Sequence, residues 1–153
     1  MSSTSTWMNG RSSIVNPADS TRQFKDYYKK KELIGRGAFG EALTVKRLND
    51  GAIFIMKKEK IAQIEKRKRK DEVNALKKCD HPHIVKYVDD FIDESYSRII
   101  MEYCTEGDVG DFLRRQQQQG NLLSTHAVLN WAMDLASGMA YLKEQRIVHR
   151  DLV

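Results

Sequence analysis

The sequence predicts an α+β domain in which a five-stranded antiparallel sheet precedes a mostly helical part. Three observations support this class. An Asp-Gly pair at positions 50 and 51 separates two apolar runs, which is typical of a β-hairpin. A single helical pattern, from Ile61 to Lys78, interrupts the strand-like segments. After Asp108 the patterns are helical.

The strand-like segments fall into two groups. The first, between Lys31 and Lys58, contains three strands, of which the second and third are joined by the turn Asn49-Asp50-Gly51. The second group predicts two strands, at Ile84 to Ile92 and at Ser97 to Tyr103. Two further helices are predicted after them, from Asp108 to Gln118 and from Thr125 to Glu144, with Ser124 as N-cap of the longer one.

Composition limits the function classes. The 153 residues suffice for one core, and no apolar run approaches the roughly 20 residues of a membrane helix. The first 24 residues are rich in Ser and Thr and are expected to be a disordered tail without a secretory signal. Cys79 and Cys104 are the two cysteines, and without a secretory signal we expect a reducing compartment, the cytoplasm.

The formal charge of +5 is concentrated between Lys57 and Lys70. The run Lys66 to Lys70 has two functional interpretations, a nuclear address or an anion-binding patch. We expect a solvated helix face instead, because apolar positions continue on both sides, and we expect neither a nucleic-acid partner nor a membrane.

The segment Gly35-Arg36-Gly37-Ala38-Phe39-Gly40 is the first candidate site. Glycines allow a backbone to approach phosphate closely. A dinucleotide-binding loop shares this spacing, but there a helix follows the loop. Here Leu43-Thr44-Val45 follows, which predicts a second strand.

Lys57, at the end of the strand Ile53 to Met56, is the second candidate. A lysine on a buried strand is costly unless its charge is met, and phosphates and a carboxylate can meet it. Glu72 and Glu65 lie seven residues apart on the next helix, so periodicity does not choose between them. Lys58 should point to the opposite face of the strand.

His149-Arg150-Asp151 is the third candidate, because an aspartate beside a substrate hydroxyl can accept its proton. The order of glycine loop, strand lysine, helix glutamate and His-Arg-Asp resembles a protein serine/threonine kinase from Tyr28 to Leu152. The stretches from His81 to Tyr87 and from Ile100 to Asp108 are most similar to NIMA-related kinases. The resemblance implies a cytoplasmic protein that is associated with the cytoskeleton or located in the nucleus.

This resemblance implies the kinase fold, with a complete N-lobe (about residues 25–103), a hinge (about 102–107) and the first helices of a C-lobe (108–153). It implies phosphoryl transfer from Mg-ATP to a Ser or Thr hydroxyl of a protein substrate. Asp151, Lys57 and Glu72 would be the catalytic residues, with Glu72 chosen by its distance from His81-Pro82. The nucleotide would contact Lys57 and the backbones of Glu102 and Cys104, with Met101 as gatekeeper and Asp108 at the ribose. Its further contacts would be Ile34, Gly35, Gly37, Gly40, Ala42 and Ile55.

The sequence departs from the family pattern at two places in the adenine pocket. Ala42 stands where the family usually has valine, and Ile55 stands where it has a small residue. Ala42 is smaller and Ile55 is larger than the usual residue, so the two changes in volume compensate each other. Cores tolerate volume-conserving exchanges of this kind best. We expect a reshaped pocket that still admits ATP.

The sequence ends at Val153, before the positions at which the family holds magnesium. We therefore expect no metal ligands in the chain and no phosphoryl transfer by the chain alone. The alternative is a non-catalytic module that binds nucleotide or a partner. Without the rest of the C-lobe, the apolar stripe of the helix from Thr125 to Glu144 should be exposed, fray or be covered by a partner. The stripe consists of Val128, Trp131, Leu135, Met139 and Leu142.

Overall fold

The structure is a computed structural model that describes residues 22–37, 40–63, 66–93 and 95–149. Its centre is a five-stranded sheet in which every neighbouring pair is antiparallel, with strand order β1-β2-β3-β5-β4. The strands are β1 (Tyr28–Gly37), β2 (Gly40–Arg47), β3 (Ile53–Lys60), β4 (Tyr87–Ile92) and β5 (Tyr96–Glu102). The predicted fold class is confirmed.

The helices are α1 (Phe24–Tyr27), α2 (Lys66–Lys78), α3 (Val109–Gln118) and α4 (Thr125–Glu144), and a 3-10 turn covers Ile61–Gln63. The helix predicted from residue 61 therefore begins as a 3-10 turn, and its α-helical part, α2, starts at Lys66. Residues 64–65 lie outside the described ranges. The strand predicted from Ile84 begins only at Tyr87. Ser124 caps α4 as predicted, because its Oγ accepts a hydrogen bond from the Ala127 amide at 3.2 Å.

The two faces of the sheet are covered by different elements. On one face Tyr28, Val45, Met56, Phe91 and Ile100 form the buried core, packed against Phe24 and other partly buried apolar residues. The opposite face carries Lys57, Glu59, Ser97 and Ile99 and faces α2. Strand alternation explains this division, because successive side chains point to opposite sides.

The folded part begins earlier than the expected end of the tail at residue 24. The Arg22 guanidinium pairs with the Asp89 carboxylate at 2.7 Å and lies over the rings of Tyr27 and Phe91. Phe24 stacks on Tyr28, with ring centroids 5.8 Å apart. Residues 1–21 lie outside the described ranges.

Helix α4 packs on the loop that follows α2. At Gly138 an added Cβ would lie 3.2 Å from the His83 carbonyl oxygen, so the backbones are close. The Tyr141 hydroxyl accepts from the Asp80 amide at 3.0 Å and donates to the Lys78 carbonyl at 3.2 Å. These contacts fix the helical part against the end of α2.

The apolar stripe expected on α4 is exposed only in part. Leu142 is buried, and Trp131 packs edge-on against Phe112 of α3. Val128 and Leu135 are exposed at 48% and 60%, as are Leu129 and Met133 outside the expected stripe. A helix that is apolar on most sides is typical of a buried position. Among the described residues no helix is long and apolar enough to cross a membrane.

Candidate nucleotide-binding site

The glycine loop is the turn between β1 and β2. Gly35 pairs with Ala42, and Gly37 pairs with Gly40 across the hairpin; residues 38–39 lie outside the described ranges. The strand that follows the loop agrees with the sequence prediction and argues against a dinucleotide-binding loop, which requires a helix there.

The glycines of the loop differ in what surrounds them. Gly40 has φ of +136°, and a Cβ at this position would lie 2.3 Å from the Lys58 carbonyl oxygen. At Gly35 and Gly37 a Cβ would meet nothing within 4 Å. Gly40 therefore allows β2 to approach β3, whereas Gly35 and Gly37 leave open space on the outer part of the loop.

A cavity of about 320 Å³ lies between the loop and β3. This is within the size range of small-molecule sites. It is lined by Gly35, Arg36, Gly37, Gly40, Glu41, Ala42 and Lys57. The loop and the strand lysine, which were separate sequence signals, thus line one cavity.

Lys57 forms an ion pair with Glu72 of α2. Its Nζ donates to Glu72 Oε1 at 2.7 Å. Burial lowers the pKa of Lys57, but the hydrogen bonds and charges of Glu72 and Glu59 outweigh burial and raise this pKa above its usual value. The ammonium is therefore a fixed positive charge at the cavity. Glu65, the other carboxylate that periodicity allowed, lies outside the described residues.

Lys58 points to the opposite face, as the alternation predicted. Its Nζ lies 3.0 Å from Glu41 Oε2 and 4.0 Å from the centroid of the Tyr96 ring. Glu41 also accepts from Arg36 Nε at 3.1 Å, so charges link β1, β2 and β3 on this side. Lys58 is thus held by partners other than those of Lys57.

A second carboxylate at Lys57 was missed by the sequence analysis. Glu59 Oε1 lies 3.1 Å from Lys57 Nζ, and Glu59 is only 7% exposed. The signal was available, because residues two apart on a strand share a face.

Asp90 of β4 connects α2 to the sheet. Its carboxylate lies 2.7 Å from Lys77 Nζ and 3.3 Å from Arg69 Nη2, and it accepts from the Tyr87 hydroxyl at 2.5 Å. Arg69 also donates through Nε to Ser97 Oγ of β5 at 2.6 Å. Arg69 and Lys77 lie on either side of Glu72 in the helix, so these contacts set the position of Glu72.

The residues expected around adenine occupy neighbouring register positions. Ala42 lies opposite Lys57, and Ile55 lies opposite Met101. Ala42 and Ile55 therefore share one face as diagonal neighbours, which allows the volume exchange that we expected. Ile34, on β1, is 53% exposed. The nucleotide contacts of these residues stay predictions.

The last residue of β5 and the segment that follows it form backbone and capping hydrogen bonds. The Glu102 amide donates to the Lys86 carbonyl at 3.0 Å, and the Cys104 carbonyl accepts from the Gly107 amide at 3.2 Å. Asp108 is the N-cap of α3 and accepts from the Asp111 amide at 2.6 Å. The carboxylate that was expected at the ribose therefore already has a structural partner.

Asp151 lies outside the described residues, as does Arg150. The described ranges contain no group of three or more His, Cys, Asp or Glu side chains that could hold a metal ion. The structure therefore describes the glycine loop, the Lys57–Glu72 pair and the positions expected around adenine, and the candidate segment His149-Arg150-Asp151 only at His149.

Comparison with known proteins decides the family. The sequence model of the family described as "Protein kinase domain" matches residues 28–152. This chain belongs to the protein kinase family. The match begins at the first residue of β1 and covers the sheet, the glycine loop and all the predicted site residues. Lys57 and Glu72 thus form their ion pair within the matched protein kinase region.

Several curated relatives are serine/threonine kinases of the Nek group. The chain is 34% identical over 130 residues to the probable serine/threonine-protein kinase nek3 of Dictyostelium discoideum. It is 34% identical over 128 residues to Nek3 of Mus musculus and 35% over 131 residues to Nek5 of Homo sapiens. Each alignment covers 83% of this chain. The chain spans only 12%, 24% and 18% of these relatives, respectively.

Proposed function

We propose that this chain provides the nucleotide-binding part of an ATP-dependent protein serine/threonine kinase. The observation that carries the proposal is the Lys57–Glu72 ion pair beside a cavity lined by the glycine loop. An ammonium held by a carboxylate offers a positioned charge to a phosphate, and the open glycines leave room for the phosphate chain.

The adenine would lie further along β3 and β5, against Ala42, Ile55 and Met101, with the backbones of Glu102 and Cys104 as hydrogen-bonding groups. The register supports this placement, because Ala42 and Ile55 share the face of Lys57. Mg²⁺ would neutralise the phosphate charge when bound. Asp151 would accept the proton of a Ser or Thr hydroxyl on a protein substrate.

Phosphoryl transfer tests the catalytic half of the proposal. The assay uses the kinase that contains this chain, because we expect no transfer by the chain alone. This kinase is incubated with γ-labelled ATP and a basic protein substrate. We expect label on Ser or Thr, and we expect Asp151→Asn to abolish transfer while its affinity for ATP stays unchanged, since Asp151 acts on the hydroxyl. Binding of ATP without transfer would favour the non-catalytic nucleotide-binding alternative instead.

A further inference from the structure

Glu59 is a buried carboxylate beside the phosphate-binding ammonium. Its side chain is 9% exposed, and Oε1 lies 3.1 Å from Lys57 Nζ. A Cβ at Gly40 would lie 3.0 Å from Glu59 Cγ, so the stem of Glu59 packs beneath the last glycine of the loop. A buried carboxylate is costly unless a positive charge compensates it, and Lys57 provides that charge.

The two carboxylates on Lys57 differ in how they are held. Glu72 is 36% exposed and belongs to α2, which is joined to β3 through the 3-10 turn. Glu59 lies on the same strand as Lys57, two residues away, and keeps its distance whatever the position of the helix. A shift of α2 would therefore remove Glu72 from Lys57 but leave Glu59 in place.

In the part of the chain that the structure describes, the strand neighbours of Lys57 add no further carboxylate. On β2 the opposite residue is Ala42, and on β5 it is Ile99. On α2, the charged Arg69 is paired with Asp90 and Ser97. One ammonium thus faces two carboxylates, and a nucleotide phosphate that approaches Lys57 also approaches the charge of Glu59.

We propose that Glu59 is a positioning residue, a second counter-ion that keeps Lys57 paired without α2 and that competes with nucleotide phosphate for its ammonium. The first part concerns the protein without nucleotide. The second part rests on the proposed function, because it requires a nucleotide phosphate at Lys57.

The first part is tested on the full chain by acylation of Lys57 with an acetylating reagent at several pH values, followed by peptide mass spectrometry. Only the neutral amine is acylated. At a pH below the pKa of Lys57, a fall of this pKa by one unit therefore makes the reaction about tenfold faster. We expect Glu72→Gln to leave Lys57 slow, and Glu59→Gln/Glu72→Gln to react at least about tenfold faster, because burial then acts on an unpaired ammonium. Equal rates in the single and double variants would overturn the proposal.

Two controls separate pairing from unfolding. Lys58 lies on the same strand and has Glu41 as partner, so its acylation rate should not change in any variant. Glu59→Met keeps a similar volume and should match Glu59→Gln if charge is what matters. Circular dichroism melts identify any variant that does not fold, and the comparison is then made with the remaining substitution at position 59.

The second part is tested by titration of ATP and adenosine into the full chain and the Glu59→Gln variant. We expect ATP to bind about three- to tenfold more tightly after the substitution, with adenosine unchanged, because only the phosphates meet the Glu59 charge. Unchanged ATP affinity would overturn the competition. Failure of the original chain to bind ATP would instead count against the proposed function, and the acylation result would stand by itself.

Discussion

Gly40→Ala tests how the glycine loop is built onto the sheet. The backbone at Gly40 has φ of +136°, and the new Cβ would lie 2.3 Å from the Lys58 carbonyl oxygen. A residue held in such a sparsely populated conformation costs about 1–3 kcal/mol. Relief of the contact must move β2 away from β3, and overpacking of this kind costs another ~1–3 kcal/mol. We therefore expect a loss of about 2–6 kcal/mol, a large part of the ~5–15 kcal/mol that stabilises a typical domain.

Gly35→Ala is the matched control, because a Cβ there meets nothing within 4 Å. Its free energy of unfolding should stay within about 0.5 kcal/mol of the original value, as for other surface substitutions. Urea unfolding followed by circular dichroism measures both variants under the same conditions. Since Gly35 lines the cavity, its substitution should weaken ATP binding without loss of stability. Equal unfolding midpoints for the two variants would refute this description of the loop.

Three further predictions concern α2 and α4. Burial raises the pKa of Asp90, but hydrogen bonds from Lys77 and Tyr87 outweigh burial and hold this pKa below its usual value. The stability that Asp90 contributes is therefore present above about pH 4 and is lost as the pH falls further. Asp90→Asn should lower the free energy of unfolding at pH 7 by about 1–3 kcal/mol and make this free energy fall less steeply in acid. Urea unfolding between pH 7 and pH 3 measures both effects, and an unchanged acid profile would contradict the prediction. Tyr141→Phe should cost about 0.5–1.5 kcal/mol, because the hydroxyl bridges Asp80 and Lys78; a stability equal to the original would argue against that bridge. Leu135→Gln should reduce the fluorescence of a hydrophobic dye bound to the chain, since Leu135 is 60% exposed, and unchanged fluorescence would place the dye elsewhere.

The local features of the site could be predicted because they depend on short-range periodicity. Strand alternation places Met56 in the core, Lys57 towards α2 and Lys58 on the opposite face, and the structure agrees. The Asp-Gly turn also joins β2 to β3 as expected. Family resemblance was needed only for the assignments that periodicity left open, such as the choice of Glu72 over Glu65.

The remaining features depend on contacts between distant segments. Arg22 pairs with Asp89, 67 residues away, and this interaction orders the chain before β1. The segment before Tyr87 forms a turn that packs on Gly138 of α4, which explains why β4 starts three residues later than its apolar pattern suggested. Such tertiary contacts override local strand propensity. Asp108 likewise acts as a helix cap, a use of the side chain that its position in the sequence motif did not reveal.

The most direct test of a phosphate site at Lys57 is the affinity of ATP and of adenosine for the chain and for Lys57→Met, measured by calorimetric titration. Loss of the ammonium should weaken ATP binding by at least about tenfold, because a charge-assisted hydrogen bond to phosphate is worth ~1.5–3 kcal/mol, while adenosine should bind both proteins equally. Equal ATP affinity in the two proteins would show that the nucleotide phosphates do not bind at this ammonium.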